Sequence, residues 1–266
     1  EEVCISTNTL SFEDYVKCRK MHLLIHIYHN DGLFGTSLEF IKFLKLSPYR
    51  WLKLLFEEKM TGGVNELFEK YEQNTRQELW LKREELIQNI QNPGIVDSYI
   101  SGELGYNLLF VHKAIAMSRF VPELKKFAKL TIEKLLSENH KDTQENMDFL
   151  DDVLNYDVCC ISNIFENLDK TPQTTIHYDV EKFITRKNTP LSKLRLKNPT
   201  TANFLLDDEQ LDIIKRSLEL YTSSDMGISR ILTKVFVKKI LRTGTLDKNS
   251  LQKTEEITNS ADWPYL

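Results

Sequence analysis

One stretch near the start of the sequence concentrates side chains that could act in acid–base or metal chemistry. Half of the chain's six histidines lie there, next to an arginine, a cysteine and a tyrosine. On an α-helix, residues three and four positions apart share one face, so this spacing predicts a single polar stripe along one side of a helix. The stripe consists of Tyr15, Cys18, Arg19, His22, His26 and His29.

The stripe has three interpretations that differ in chemistry. Imidazole and thiolate groups bind transition metals, and three imidazoles with one open position form a catalytic zinc site. Ligands spread over two turns of one straight helix are too far apart to surround one ion, so a second helix would have to contribute. The more ordinary interpretation is a half-buried seam of hydrogen-bonded histidines. A surface that contacts an adjoining domain or a substrate is the third.

Arg19 is the most informative member of the stripe. A guanidinium beside histidines requires an anionic partner, which can be a carboxylate of the protein or an anionic ligand. The charged residues Glu13, Asp14, Lys17 and Lys20 fall on the other side of the same helix. We therefore expect the stripe to face protein and the charged side to face solvent.

Two other charged groups have a functional and a structural interpretation. The acidic residues Glu145, Asp148, Asp151 and Asp152 suggest either a magnesium site or a solvated helix face. The basic residues Lys234, Lys238, Lys239 and Arg242 suit either a phosphate-bearing ligand or the negative end of a helix dipole. We favour the structural interpretation of both groups.

Neither the cysteines nor the common catalytic motifs indicate a reaction for this sequence. Cys159 and Cys160 are adjacent, so on a helix they point about 100° apart and cannot both face one metal. We expect them, with Cys4 and Cys18, to be free thiols. The sequence contains no glycine-rich phosphate loop, no G-x-S-x-G and no H-E-x-x-H.

Helical signals dominate the elements that must position these residues. Ser11 is a typical N-cap, and Asn30-Asp31-Gly32 is a typical helix stop. The later helices are expected at 37–45, 47–60, 64–90 as one long helix, 95–139 with a bend near 101 and a joint at 118–122, 144–168, 208–221 and 227–242. Runs at 174–178 and 202–206 favour β-structure and could pair as the only sheet, apart from a short strand at 3–9.

We therefore predict a mainly α protein, a bundle of antiparallel amphipathic helices with at most one small two-stranded β element. Residues 1–11 read as a strand or linker from an upstream domain, because they resemble the inside of a fold. A main helical domain is expected over 12–169, a smaller helical appendage with a short β-hairpin over 170–243, and a flexible tail over 244–266.

The composition narrows the range of partners. The chain has 35 Lys and Arg against 39 Asp and Glu, a formal net charge of −4, so it lacks the positive field that nucleic acid or anionic lipid attracts. No apolar run approaches the roughly 18 to 20 residues that span a bilayer, and no signal peptide is visible. We expect a cytoplasmic protein that binds neither nucleic acid nor membrane.

Three parts of the sequence resemble one enzyme family. The segment Glu2-Val3-Cys4-Ile5-Ser6-Thr7-Asn8-Thr9-Leu10-Ser11-Phe12-Glu13-Asp14-Tyr15, with Arg19, resembles the stretch that follows the catalytic barrel in cobalamin-dependent radical SAM proteins. There a last strand leads into a capped helix with an aspartate, an aromatic residue and an arginine. Tyr178-Asp179-Val180, and Phe204-Leu205-Leu206 before Asp208-Glu209-Gln210, resemble the C-terminal region of the same proteins.

The resemblance implies a parent enzyme that uses a 4Fe-4S cluster, S-adenosylmethionine and cobalamin. This chain lacks the C-x-x-x-C-x-x-C cluster motif and a cobalamin motif, so we expect it to hold none of these cofactors. It would be a C-terminal helical accessory domain that covers the barrel or binds substrate or partner, without catalysing a reaction alone. Its partner would be the upstream barrel, which the stripe residues Tyr15, Arg19, His22, His26 and His29 would face.

Two alternatives remain open at this point. The chain could be a non-enzymatic, all-helical protein-interaction module, or an independent metalloenzyme that uses the stripe. The sequence gives no oligomeric state.

Overall fold

The computed structural model describes residues 4–80, 82–101, 104–186 and 188–247. Within them the predicted mainly α architecture is confirmed. The helices α1 to α12 are Phe12–Ile25, Gly35–Phe43, Pro48–Glu57, Gly62–Glu78, Arg83–Ile90, Ile95–Ser101, Leu108–Arg119, Val121–Glu138, Gln144–Ile161, Val180–Thr185, Asp208–Tyr221 and Asp225–Lys234. The strands β1 to β3 are Gln173–Tyr178, Arg195–Leu205 and Thr243–Leu246.

The helix starts follow the capping residues of the sequence. The Ser11 hydroxyl accepts a hydrogen bond from the Asp14 amide at 3.1 Å and caps α1. Ser47 caps α3 in the same way, with Pro48 in the first turn. The helix that begins with α1 continues as a π-helical turn, His26–Asn30, and Gly32 follows it with φ +74°. The predicted stop at 30–32 is confirmed.

The predicted long helix over 64–90 is wrong, because two helices occupy this range. α4 ends at Glu78, Leu79 is extended with φ −109° and ψ 116°, and α5 begins at Arg83. Glu78 is also the last residue of α4 that forms an ion pair with α1. The sequence did not indicate this break, because residues 79–82 include neither glycine nor proline, the residues that usually interrupt a helix.

The helices predicted at 144–168 and 227–242 also end early. α9 ends at Ile161, and α12 ends at Lys234 and is followed by a short 3-10 turn, Val237–Lys239. The buried Arg242 guanidinium donates to the carbonyls of Ser162 at 2.9 Å and Asn163 at 3.2 Å. The sequence predicted that Arg242 lies at the C-terminus of its own helix, 227–242. In the structure its positive charge lies instead at the C-terminus of α9.

In the part of the chain that the structure describes, the sheet has three antiparallel strands in the order β1-β2-β3, so the expectation of at most two strands is corrected. The predicted pairing of the two β-prone runs is confirmed, with Thr174 opposite Ala202. β3 includes Gly244, which the sequence placed in a tail. A Cβ atom at Gly244 would lie 2.6 Å from Phe204 and from Tyr156, so only glycine lets β3 approach this closely. The rest of the predicted tail, 248–266, lies outside the described residues.

The short strand expected at 3–9 is absent from its described part, which begins at Cys4. The Thr7 amide donates to the Leu10 carbonyl at 2.8 Å, and the Leu10 amide donates to the Thr7 hydroxyl at 3.0 Å. These two bonds fold the segment into a turn before α1. Val3 lies outside the described residues.

Asp157 on α9 caps a different helix. Its buried carboxylate accepts hydrogen bonds from the amides of Thr36 and Ser37, both at 2.9 Å, and from the Ser37 hydroxyl at 2.7 Å. These amides belong to the first turn of α2, whose own N-cap residue, Phe34, supplies no side-chain bond. A residue distant in sequence therefore satisfies the amides that the start of a helix leaves unpaired.

Asp152, one turn earlier on α9, binds the sheet. Its carboxylate accepts hydrogen bonds from the amides of His177 at 2.6 Å and Tyr178 at 2.8 Å. The register between β1 and β2 breaks between Ile176 and Tyr178, where the strand ladder leaves amides without a strand partner. The expectation of a solvated acidic face is thus wrong for Asp152, whose side chain is buried, with 2% exposed. Its carboxylate accepts the hydrogen bonds that the carbonyls of a neighbouring strand would otherwise accept.

One continuous apolar core joins the sheet to the helices. The Phe149 ring on α9 lies 5.2 Å from the Phe40 ring, 5.2 Å from the Tyr178 ring and 4.9 Å from the Phe183 ring. The appendage predicted over 170–243 therefore docks on the helical body, which the sequence left undecided. Among the helices of the described ranges, none combines the length and apolar composition that crossing a membrane requires.

Asp157 gives the stability of the fold a testable pH dependence. Burial raises the pKa of Asp157 from 3.8 to about 6, although Ser37 and Thr36 oppose this shift by hydrogen bonding to the carboxylate. The folded state therefore keeps the proton to higher pH than the unfolded state, and the stability from this group is lost as the pH rises from about 4 through about 6. The loss is on the order of 3 kcal/mol relative to Asp157→Asn, which does not titrate.

Urea unfolding of the wild type and of Asp157→Asn at several pH values between about 4 and 7 measures this difference. The free energy of unfolding of the wild type should fall relative to that of the variant as the pH rises. Parallel curves would show that Asp157 does not titrate in this range.

Candidate functional site

The predicted stripe on α1 is divided between the protein interior and the solvent. Arg19 and His26 are half-buried, whereas Cys18 and His22 are exposed. The expectation that the whole stripe faces protein is therefore wrong for Cys18 and His22. The side of α1 that enters the apolar core is a third one, formed by Val16, Leu23 and Leu24.

The charged side of α1 exposes the side chains of Glu13, Asp14 and Lys17, as expected, whereas Lys20 is half-buried against α4. Glu13 accepts two hydrogen bonds from Arg76, both at 2.6 Å, and Lys20 pairs with Glu72 at 2.9 Å. The polar face of α4 therefore supplies charges that complement Glu13 and Lys20. Amphipathic spacing within α1 alone could not identify that partner.

Arg19 has the anionic partner that its environment requires. Its Nη2 donates to Glu78 Oε1 at 3.0 Å, and its guanidinium carbon lies 6.0 Å from the centre of the Tyr71 ring. Burial raises the pKa of Glu78 and outweighs the opposite effect of Arg19. The carboxylate comes from α4 of this chain, so Arg19 is held by an internal contact.

A buried polar group adjoins Arg19. Tyr71 and Thr75 lie one turn apart on α4 and are 0% exposed, and the Tyr71 ring lies 5.0 Å from the His112 ring on α7. His112 Nδ1 donates to the Leu108 carbonyl at 2.9 Å, which fixes the proton on Nδ1. Burial lowers the pKa of His112, so its ring is neutral and Nε2 is a hydrogen-bond acceptor.

A second polar group surrounds His26. The ring of His22 lies 4.8 Å from the ring of His26, and His26 Nδ1 lies 3.4 Å from Asp31 Oδ2. Lys113 on α7, 1% exposed, donates to the same oxygen at 2.8 Å. Burial opposes ionisation of Asp31, but the hydrogen bonds from His26 and Lys113 outweigh it and lower the pKa. Burial, His26 and Arg19 together lower the pKa of His22.

Two cavities lie beside the stripe. One of about 240 Å³ is lined by His26, Asp31, Phe110, Lys113 and the segment 232–237. The other, of about 400 Å³, is lined by His29, Asp157 and Cys160 among others. His29 bonds its neighbour Asn30 at 3.0 Å rather than His26, so the structure separates it from the other stripe histidines.

The two polar groups beside the stripe therefore contain residues that sequence reasoning did not connect with it. These are Asp31, Tyr71, Thr75, Glu78, His112 and Lys113. The adjacent polar pair His112-Lys113 in the otherwise apolar run Leu108–Met117 was a visible signal. Asp31 was assigned only to a helix stop, and nothing in the sequence places it beside Lys113.

The remaining candidate groups behave as structural residues. Asp151 pairs with Lys129, and the described residues hold no group of three or more His, Cys, Asp or Glu side chains arranged to hold a metal ion. The four cysteines are free thiols, as predicted. Burial raises the pKa of Cys159 to about 11 and that of Cys160 well above its usual value, so neither is an activated nucleophile.

Comparisons with known proteins return no relative. No family model, no curated protein and no solved structure matches the sequence.

The buried pair Lys113–Asp31 leads to a stability prediction. Lys113→Met leaves the buried Asp31 carboxylate without its strongest donor, so the free energy of unfolding should fall by about 3 to 5 kcal/mol. In the double variant Lys113→Met/Asp31→Asn no buried charge remains, and much of this loss should be recovered. Chemical denaturation of the three proteins measures both effects.

Lys17→Met removes the exposed pair between Lys17 and Asp14 and serves as the matched control. It should leave the unfolding midpoint unchanged. Equal effects of Lys17→Met and Lys113→Met would contradict a special role for the buried pair.

Proposed function

We propose that this chain is the C-terminal helical accessory domain of a larger, cytoplasmic radical SAM enzyme. In this proposal it covers the catalytic barrel or binds the substrate or a partner, and it does not catalyse the reaction alone.

The local structure of the resembling segments supports the proposal. Ser11 caps the helix that carries Asp14, Tyr15 and Arg19. Asp179 caps the short helix after Tyr178. The strand that contains Phe204 leads into α11, which has a capping box formed by Asp207 and Gln210. These capped helices are the ones that the resemblance implies at these positions, but the strand that it implies before α1 is absent from residues 4–9.

The observation that carries the proposal is the free side of α1. Cys18 and His22 are exposed together with the neighbouring Lys17, whereas other residues of α1 pack against the core or pair with α4. Segment 4–11, which the resemblance places directly after the barrel, leads into this helix. The exposed side is therefore the surface of α1 available to an upstream domain.

The cofactors of such an enzyme would be bound by other domains. A 4Fe-4S cluster needs closely spaced thiolates, whereas Cys159 and Cys160 are adjacent on α9 and Cys4 and Cys18 belong to the exposed start of the chain. The residues present here do not fit the cluster, and no cobalamin motif is present. The cluster, S-adenosylmethionine and cobalamin would all lie upstream of α1.

The coding sequence that precedes residue 1 tests the proposal directly. We expect a C-x-x-x-C-x-x-C motif within the same open reading frame. A reading frame without this motif would refute the proposal.

A double variant tests the contact surface in the full polypeptide. Cys18→Glu/His22→Glu adds two charges to the free side of α1, so limited proteolysis in segment 4–11 should become faster. Lys126→Glu, on an exposed position of α8, is the control and should leave the cleavage rate unchanged. Equal rates for all three proteins would exclude this side of α1 as the contact.

A specific observation favours the second candidate, a non-enzymatic helical interaction module. α5 has no buried residue, and α5, α6 and the residues that flank them expose a series of large apolar side chains. Contiguous exposed apolar surface is typical of protein-binding sites. These side chains are Trp80, Ile87, Ile90, Val96, Tyr99, Ile100 and Leu104.

Variants of the two surfaces distinguish the two candidates. If α5 and α6 form the binding surface, Ile100→Asp should abolish capture of a defined partner, while Cys18→Glu/His22→Glu should retain it. Ile100 is 79% exposed, so its substitution should not affect folding. The opposite result would support the accessory-domain proposal.

A further inference from the structure

Most of the unsatisfied polar atoms in the described interior belong to one place. Among the described residues, the buried side-chain atoms without a hydrogen-bond partner are Arg19 Nε, Tyr71 Oη, Thr75 Oγ1, His112 Nε2 and Glu123 Oε2. The first four belong to side chains of α1, α4 and α7, and the Arg19 guanidinium also lies close enough to the Tyr71 hydroxyl to interact with it, without the geometry of a full hydrogen bond. The Arg19 guanidinium and the His112 ring both lie against the Tyr71 ring, and Thr75 follows Tyr71 by one helical turn.

This concentration of unpaired atoms requires an explanation. Burying one unpaired polar group is costly, and native proteins satisfy nearly all such groups. Tyr71, Thr75 and His112 are at most 1% exposed, so bulk solvent does not reach them. Where buried polar groups of neighbouring elements are not satisfied by one another, an ordered water that bridges them is the usual solution.

The hydrogen-bonding capacity of the four atoms defines which molecule the junction can bind. Arg19 Nε–H can only donate. His112 Nε2 can only accept, because Nδ1 carries the proton that is donated to Leu108. The hydroxyls of Tyr71 and Thr75 can each donate and accept. The occupant must therefore both accept and donate hydrogen bonds.

We propose that this junction is a binding site for ordered water, either one molecule or a short chain. Water has two donors and two acceptor sites, which match the four groups. An anion does not fit, because Glu78 already neutralises Arg19 and the lone pair of His112 Nε2 would face the negative charge. The water connects α1, α4 and α7 through Arg19, the stripe residue closest to it.

The sign of two conservative substitutions tests the proposal. Thr75→Val and Tyr71→Phe preserve the shape of each side chain and remove only a hydroxyl. If the hydroxyls bind water, the urea midpoint should decrease in both variants, because the water loses a partner. If the junction is dry, Thr75→Val removes an unpaired polar atom, and its midpoint should stay the same or increase; this variant decides, because Tyr71→Phe also removes the contact of the hydroxyl with Arg19.

The matched control is Tyr49→Phe, which removes a hydroxyl from a side chain that is 70% exposed. Its midpoint should equal that of the wild type. An equal decrease in Tyr49→Phe and Tyr71→Phe would show that loss of a tyrosine hydroxyl has a general effect, and it would overturn the proposal.

Detection of the water itself provides an independent measurement. Magnetic relaxation dispersion of the full 266-residue chain should show long-lived internal water, and the number of such molecules should decrease in Thr75→Val. An unchanged number would contradict the proposal. A midpoint that increases with chloride or phosphate in the wild type, but not in Thr75→Val, would identify an anion instead and would also overturn it.

Discussion

The buried carboxylates of Asp152 and Asp157 hold α9 to the elements on both sides of it. Asp157 accepts the first amides of α2, and Asp152 accepts two amides of β1 where the strand register breaks. In both places the backbone would otherwise have buried donors without a partner, which is among the costliest defects of a protein interior. Arg242 completes the pattern at the C-terminus of α9, just beyond Asp157, where it donates to a carbonyl that the helix leaves free. The charges on α9 and around it therefore satisfy backbone groups rather than a ligand.

The surroundings of the polar stripe depend on this arrangement, because only a short turn joins the helix that carries the stripe to α2. Asp31 lies in the turn between the π-helical turn and α2, so the contact that fixes the start of α2 also limits where Asp31 can lie. From there Asp31 contacts both Lys113 and His26. On the other side of α1, ion pairs with α4 set the rotation of the helix and leave Cys18 and His22 in solvent. The exposed and buried halves of the stripe thus follow from the packing of α1 against the core and α4.

The sequence predicted the helical class, most helix starts and the β1–β2 pair because capping residues and apolar spacing are local signals. It did not predict the break after Glu78, the early end of α9 or β3. Each of these depends on a distant contact: Arg19 with Glu78, Arg242 with Ser162, and Gly244 with Tyr156. The same limit applies to the candidate site. The stripe was visible from spacing on one helix, but its partners on α4 and α7 are 50 or more residues away from it in sequence.

The central claim is that α9 supports α2 and the sheet through its two aspartates. Hydrogen–deuterium exchange of single amides tests it most directly. In Asp157→Ala the amides of Thr36 and Ser37 should exchange faster while those of His177 and Tyr178 keep their protection, and Asp152→Ala should give the reverse pattern. If either variant leaves the exchange of its own pair of amides unchanged, the carboxylates are not what holds these elements to α9.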